Sequence, residues 1–339
     1  MKGSKHIRKA LALVMALAVS ATALVGCASQ PSGGSAAEGE SSKTPLIGIA
    51  WRADTDSEFY VNIATSIREA GGIPVLLAEV VSSEFEYDSN GVLLNAADEQ
   101  GALLTEVAEK IKADGYKKTN AAEVAAEVDA VIFTGGEDIS SSLFKVPEPW
   151  HGIEAEKDYN VTRDASDYML MDYCLDNNIP MLGVCRGMQM LAVVSGAEMI
   201  QDIPTFMASV NTEYNFEHRN NKATPESYRD FAAHDVVIKE DSIAYKFSGE
   251  TLIEGAPSWH HQAVKSVEGT ELAVTGTLDV NGQEMIEIIE RTDKDFAIGI
   301  QYHPEAAVDK VLEPQANAGD YMEYDDAMEV FEYLVDLVD

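Results

Sequence analysis

The sequence predicts one α/β domain over residues 45–339, built around a parallel sheet. Three observations lead there. Residues 46–50 are a short apolar run, 58–70 a helical pattern stopped by Gly71-Gly72, and 73–77 a second apolar run. A strand, a helix and a strand in that order make a parallel pair with a crossover helix. Residues 128–133 and 179–184 are further apolar runs that end in glycine-bearing turns, as strands do beneath a functional loop. No internal repeat or second core is apparent, so one domain accounts for 339 residues of which 46% are hydrophobic.

The remaining segments follow in chain order. Lys2, Lys5, Arg8 and Lys9 precede an apolar stretch over residues 10–24 that is short for a membrane span, so residues 1–26 read as a secretory signal. Leu24-Val25-Gly26-Cys27 resembles the lipobox of bacterial lipoproteins. The resemblance implies cleavage before Cys27, lipid on its sulfur and new N-terminus, and an extracytoplasmic protein anchored to the cell membrane. An ordinary signal cut nearby would leave Cys27 incidental. Residues 28–44 are small and polar and read as a flexible tether. Residues 102–113 and 121–128 read as helices inside a charged, alanine-rich stretch over 82–127. A helix is expected over 164–177, strands over 235–239, 271–275, 285–289 and 297–302, and an amphipathic helix over 325–338.

Charge and cysteine content narrow the function. With 58 acidic against 24 basic residues, the net charge is −34, and such a surface repels nucleic acid. Of three cysteines, Cys174 falls among Met169, Leu170 and Tyr173 on the 164–177 helix and reads as a small buried hydrophobe. No disulfide is expected, because pairing Cys174 with Cys185 would consume a nucleophile.

Cys185 earns that description from its setting. An apolar strand runs into Gly183-Val184-Cys185-Arg186-Gly187, and helix formers follow. This is the cysteine form of the nucleophile elbow, a sharp strand-to-helix turn that exposes a side chain above the sheet. The helix N-terminus beneath the sulfur favours negative charge, and the thiolate is the reactive species. A cysteine nucleophile needs a base, and the base needs a group to orient it. Gln301-Tyr302-His303-Pro304-Glu305 ends an apolar strand and supplies both. In an extended segment His303 and Glu305 point the same way, so Glu305 can accept the ring N–H of His303. The backbone N–H of Arg186 and one from the Gly135-Gly136 turn are candidate oxyanion donors.

Phe133-Thr134-Gly135-Gly136, Gly183 to Gln189 and Gly299 to Glu305 occur in the order of the class I glutamine amidotransferase superfamily, which the chain resembles. Within it the sequence is most similar to the γ-glutamyl hydrolase group. Arg163-Asp164, Gln201-Asp202 and the run Ser258-Trp259-His260-His261-Gln262-Ala263-Val264 carry that finer likeness. The resemblance implies a flavodoxin-like three-layer sandwich with a central, mostly parallel sheet. It also implies a Cys185, His303, Glu305 triad that hydrolyses γ-glutamyl amides through a thioester. By the same likeness Gly136 and Arg186 form the oxyanion hole, and Gln189, His260, His261 and Gln262 lie against substrate. Pro257, Asp167 and Ser195-Gly196-Ala197 depart from the family pattern, which bears on the leaving group more than on the reaction.

An amidotransferase subunit passing ammonia to a synthase, and a non-catalytic amino-acid-binding lipoprotein, are the alternative functions. Packing is the alternative role for the His260-His261 pair. A zinc site from His260, His261 and His303 lacks further ligands at metal spacing, and the thiol mechanism needs no metal. Neither metal nor cofactor is therefore expected. The expected partners are a small γ-glutamyl substrate and, through Cys27, the membrane, with a homodimer left open.

Overall fold

The computed structural model describes residues 43–152, 154–219, 231–312 and 321–339. The expected signal, Cys27 and all but the end of the tether lie outside the described residues. β1 (Leu46–Ile49) leads through α1 (Glu58–Glu69) to β2 (Ile73–Leu76). α2 (Thr105–Asp114) and α3 (Ala121–Val124) precede β3 (Ala130–Phe133). α4 (Val161–Asp176) precedes β4 (Met181–Val184), and α5 (Arg186–Val194) follows at once. Next come β5 (Glu198–Ile200), α6 (Ile203–Ser209), β6 (Ala232–Ile238), α7 (Ile243–Ser248) and β7 (Leu252–Ser258). β8 (Ala263–Ser266), β9 (Leu272–Val280), β10 (Gln283–Arg291) and β11 (Ala297–Ile300) complete the sheet. α8 (Pro304–Leu312) and α9 (Tyr324–Val338) close the chain.

The sheet order is β2-β1-β3-β4-β11-β10-β9-β6-β7, with β8 on β10 and β5 on β8. β1 pairs in parallel with β2 and β3, and β4 with β3 and β11. With β11 as the fifth parallel strand the order is 2-1-3-4-5, the flavodoxin-like winding. From β10 outward every pairing is antiparallel, a wing larger than the sequence suggested.

Strand alternation explains why the central strands read as unbroken apolar runs. Ala130 and Ile132 face the core shared with Ile63 and Ile67 of α1 and Phe331 and Leu334 of α9. Val131 and Phe133 face the opposite core, with Met169 and Met171 of α4 and Leu191 and Val193 of α5. Successive residues point to opposite faces, so a strand covered on both sides must be apolar throughout.

Three local readings change. α4 starts at Val161, not residue 164, because Asn160 caps it by accepting the Arg163 N–H at 3.1 Å. Pro304 opens α8 as its first residue, where its missing N–H costs no helical bond, so Glu305 is helical rather than extended. The stretch over 82–127 contains a ten-residue unit used twice. Asp88 Oδ1 accepts from Asn90 and Val92 N–H at 2.7 and 3.0 Å, and Asp98 Oδ1 from Gln100 and Ala102 N–H at 2.8 and 3.0 Å. Each turn closes on a glycine of positive φ, Gly91 and Gly101. The second turn consumes residues 101 and 102, which delays α2 to Thr105.

Candidate active site

β3, β4 and β11 are neighbours, and their carboxyl ends deliver Gly135-Gly136, Cys185 and His303 to one place. That is where ligands bind in an open parallel sheet. Cys185 joins β4 to α5 with φ 51° and ψ −103°, a left-handed backbone that a non-glycine residue adopts only at a cost. The flanking glycines permit it. A Cβ on Gly187 would lie 2.3 Å from the Phe133 carbonyl oxygen, and one on Gly183 would lie 2.5 Å from the Gly187 carbonyl. Strand and helix approach too closely at the elbow for any side chain there. The Cys185 N–H donates to Ile300 O at 2.8 Å, which ties the elbow to β11.

The structure brings Cys185, His303 and Glu305 together. His303 Nδ1 lies 2.7 Å from Glu305 Oε1, and the ring also hydrogen-bonds Cys185, for which Nε2 is the remaining nitrogen. Burial alone would lower the His303 pKa. Glu305 and Cys185 outweigh it and push it up to about 10, which favours the protonated ring. That is the form reached once it has taken the sulfur's proton. Phe231 packs edge-on against the ring at 5.3 Å between centroids.

The glycine turn is held from behind. Gly135 O accepts from Arg52 Nη1 at 2.7 Å and from Arg163 Nη2 at 3.0 Å. The N–H of Gly136 belongs to the same planar trans peptide group, so it points away from both guanidinium groups. Gly136 has φ 146°, and a Cβ there would lie 2.0 Å from Arg163 Nη1. Both Arg52 and Arg163 pair with Glu137, at 3.7 and 2.5 Å. The chain of charges continues inward. Asp167 takes Arg163 Nε at 3.3 Å and Arg186 Nη1 at 2.5 Å, and Asp164 takes Arg186 Nη2 at 2.6 Å. Burial would raise the Glu137 carboxyl, but Arg163, Arg52 and Arg186 hold it well below the usual range. Arg163, Asp164 and Arg186 belong to the family likeness and Asp167 departs from it, but nothing in the sequence signalled that they join Arg52 and Glu137 in one network.

A cleft of about 330 Å³ opens above Cys185, lined also by Gly136, Asp138, Glu156, Asp158, Gln189, Arg219, Trp259, His260, His261 and Gln262. Of the sequence-predicted residues, Gly136, Cys185, Gln189, His260, His261 and Gln262 line it, but much of their bonding is internal. Gln189 Nε2 donates to Gln262 O at 2.9 Å. Gln262 Oε1 accepts from the Ile139 N–H at 3.1 Å, which binds the 260–262 loop to the turn after β3. His260 Nδ1 contacts Gln262 O at 2.8 Å, and its ring backs onto His218 with centroids 4.9 Å apart. The Arg219 guanidinium lies 4.9 Å over the Trp259 ring.

His261 sits between two carboxylates, with Nε2 2.9 Å from Asp138 and Nδ1 3.3 Å from Asp202. Burial opposes the charge, but the two carboxylates raise the ring from 6.5 to about 9. A pKa raised by folding gives stability that is complete below the unfolded value and lost as pH rises through the folded one. Between pH 6.5 and 9 the wild type therefore loses on the order of 3 kcal/mol that a His261→Gln variant does not lose. Urea denaturation at the two pH values measures the difference, and parallel profiles would remove this role.

Cys174 is fully buried, and burial pushes its thiol up to about 12. Among the described residues both cysteines are free. Iodoacetamide at neutral pH is expected to label Cys185 and leave Cys174 unmodified, as peptide mass mapping would register. Among the described residues His260, His261 and His303 do not gather into the metal set weighed from the sequence.

The family model described as Peptidase C26 matches residues 110–305. The chain belongs to the peptidase C26 family. Its relatives place it in the class I glutamine amidotransferase superfamily. Protein NtpR of Enterococcus hirae is 34% identical over 180 residues, covering 53% of this chain and 67% of that protein. A glutamine amidotransferase-like protein of Rickettsia prowazekii is 25% identical over 228 residues, covering 59% of this chain and 78% of its own. The glutaminase domain of Trypanosoma brucei CTPS overlaps 88% of this chain and 95% of its own, at 15% identity and a TM-score of 0.46. Family membership supports a cysteine-dependent amide hydrolase or amidotransferase.

Proposed function

We propose that this protein hydrolyses γ-glutamyl amides through a thioester on Cys185. The observation that carries the reading is the His303 ring held between the Cys185 sulfur and the Glu305 carboxylate beneath an open cleft. Cys185 gives its proton to His303, and the sulfur attacks the γ-amide carbonyl. The oxyanion is stabilised by the N–H groups of Gly136 and Arg186. Collapse breaks the C–N bond, and His303 returns the proton to the departing amine. Water then attacks the thioester while His303 takes its proton, which releases glutamate and restores the thiol. Glu305 fixes the ring's tautomer throughout.

The cleft wall suits a glutamyl unit, which carries an α-ammonium and an α-carboxylate. Asp158 offers an anion to the first, and Arg219 and Lys157 line the same wall as cations for the second, with Arg219 also paired to Glu156 at 3.1 Å. The decisive experiment offers γ-glutamyl amines, γ-linked D-glutamyl wall peptides, poly-γ-glutamate and glutamine to the protein, with mass spectrometry of released amine and Cys185→Ala as control. Release from none of them by protein that still labels at Cys185 would defeat the proposal. The amidotransferase reading draws on the relatives' names. Turnover of glutamine alone, with ammonia handed to a partner protein, would favour it.

The lipobox-like ending at Cys27 supports an anchored protein working outside the cytoplasmic membrane. Among the described residues no helix is long and apolar enough to cross a membrane. Cys27→Ser should move the protein from the membrane fraction to the soluble fraction.

A further inference from the structure

Behind the 260–262 loop lies a second, closed cluster. Glu287 of β10 is 1% exposed, and its ion-pair partners among the described residues are histidines. His218 Nε2 lies 3.2 Å from Glu287 Oε1, and His234 Nε2 of β6 lies 3.7 Å from Glu287 Oε2. One nitrogen each of His218 and His260 and a carboxylate oxygen of Glu287 all fall within 4.8 Å of one another. The imidazole of His218 lies 4.9 Å from that of His260 and 5.4 Å from that of His234, between centroids.

We propose that His218, His260 and Glu287, with His234 as the fourth ligand, form a structural site for a divalent transition cation, zinc by its donors. Three imidazoles and a carboxylate in a closed pocket are a tetrahedral zinc set. Beyond the ion pairs with Glu287, the buried atoms His218 Nε2, His260 Nε2, both nitrogens of His234 and Glu287 Oε2 have no hydrogen-bond partner among the described residues. Buried polar atoms seldom stay unsatisfied, and here one atom each of His218, His260 and Glu287 lies within 4.8 Å of the others. The outer nitrogens of His260 and His218 are already held, as metal-ligating histidines require. His260 Nδ1 contacts Gln262 O at 2.8 Å, and His218 Nδ1 contacts the Tyr214 hydroxyl at 3.3 Å. The residues of this set come from four separate segments, two of them on β6 and β10, so their spacing in the sequence does not reveal it. A cation there fixes the His260 loop that forms one wall of the cleft.

The test uses untagged full-length protein, stripped with a chelator and titrated with Co²⁺. One Co²⁺ per chain is expected, with the visible band of tetrahedral cobalt and no sulfur-to-cobalt charge transfer. Zn²⁺ should displace it. Cys185→Ser should bind equally, and Glu287→Gln should bind at least about a hundredfold more weakly, beyond the loss typical of a supporting residue. His218→Asn decides on the same criterion if Glu287→Gln does not fold. Absence of stoichiometric uptake by the wild type, a thiolate band lost in Cys185→Ser, or full affinity in the folded Glu287→Gln or His218→Asn variant would each overturn the site. In the first case the cluster is a proton-sharing group around Glu287 only.

Discussion

Cys185→Ala is expected to reduce turnover of γ-glutamyl p-nitroanilide by at least roughly 10⁴-fold while leaving the fold intact. In the proposed mechanism the sulfur is the atom that becomes acylated, so no remaining group can take over its step. Stability should behave in the opposite way. Cys185 holds a backbone of φ 51° and ψ −103°. Alanine inherits that strain, whereas glycine adopts it freely. Cys185→Gly should therefore be more stable than Cys185→Ala by about 1–3 kcal/mol, although both are inactive. Urea melts of the two variants beside a rate assay test both halves. Turnover by Cys185→Ala near the wild-type level would mean that another group is acylated.

Arg163→Met should destabilise the protein by about 3–5 kcal/mol, the usual result of removing one partner from a buried ion pair. Arg163 is 1% exposed and pairs with both Glu137 and Asp167. Methionine fills much of the volume but leaves those carboxylates short of a cation. Glu137 keeps Arg52 at 3.7 Å, and Asp167 keeps Arg186 at 2.5 Å, so the network loosens rather than disappears. A second effect is specific to catalysis. Arg163 Nη2 also holds the carbonyls of Thr134 and Gly135, at 2.9 and 3.0 Å, and thereby aims the Gly136 N–H. Misplacing an oxyanion donor costs about 10²–10³ in kcat. Arg163→Lys keeps the charge but cannot fork to several acceptors at once. It should regain much of the stability and little of the kcat, with KM barely changed in either variant. Equal recovery of stability and rate would show that Arg163 acts through folding alone.

The central parallel strands and the elbow were legible because both obey local rules. A strand buried on two faces must be apolar throughout, and an elbow needs glycine on either side of its nucleophile. The pairing of His303 with Glu305 was legible too, although for a different reason from the one inferred. The two meet because Pro304 starts a helix, not because the segment stays extended. The antiparallel wing was harder to read. β5 and β8 are 3 and 4 residues long, and their pairing joins residues more than sixty apart, so neither carries a strong signal alone. The repeated turn over 88–104 hid in a segment read only for helices. The charge network and the histidine cluster were invisible for a common reason. Arg52, Glu137 and Arg186, like His218, His234 and Glu287, become neighbours only when the sheet is assembled.

The position of β11 has a consequence for synthesis of the protein. This strand lies between β4 and β10, in the middle of the sheet, yet it is made after both. A nascent chain that has released Cys185 from the ribosome still lacks His303, and the gap beside β4 stays open until the last strand slots in. The sulfur therefore travels without its base while the 118 residues from 186 to 303 are made, and the chemistry switches on only after His303 has joined the sheet.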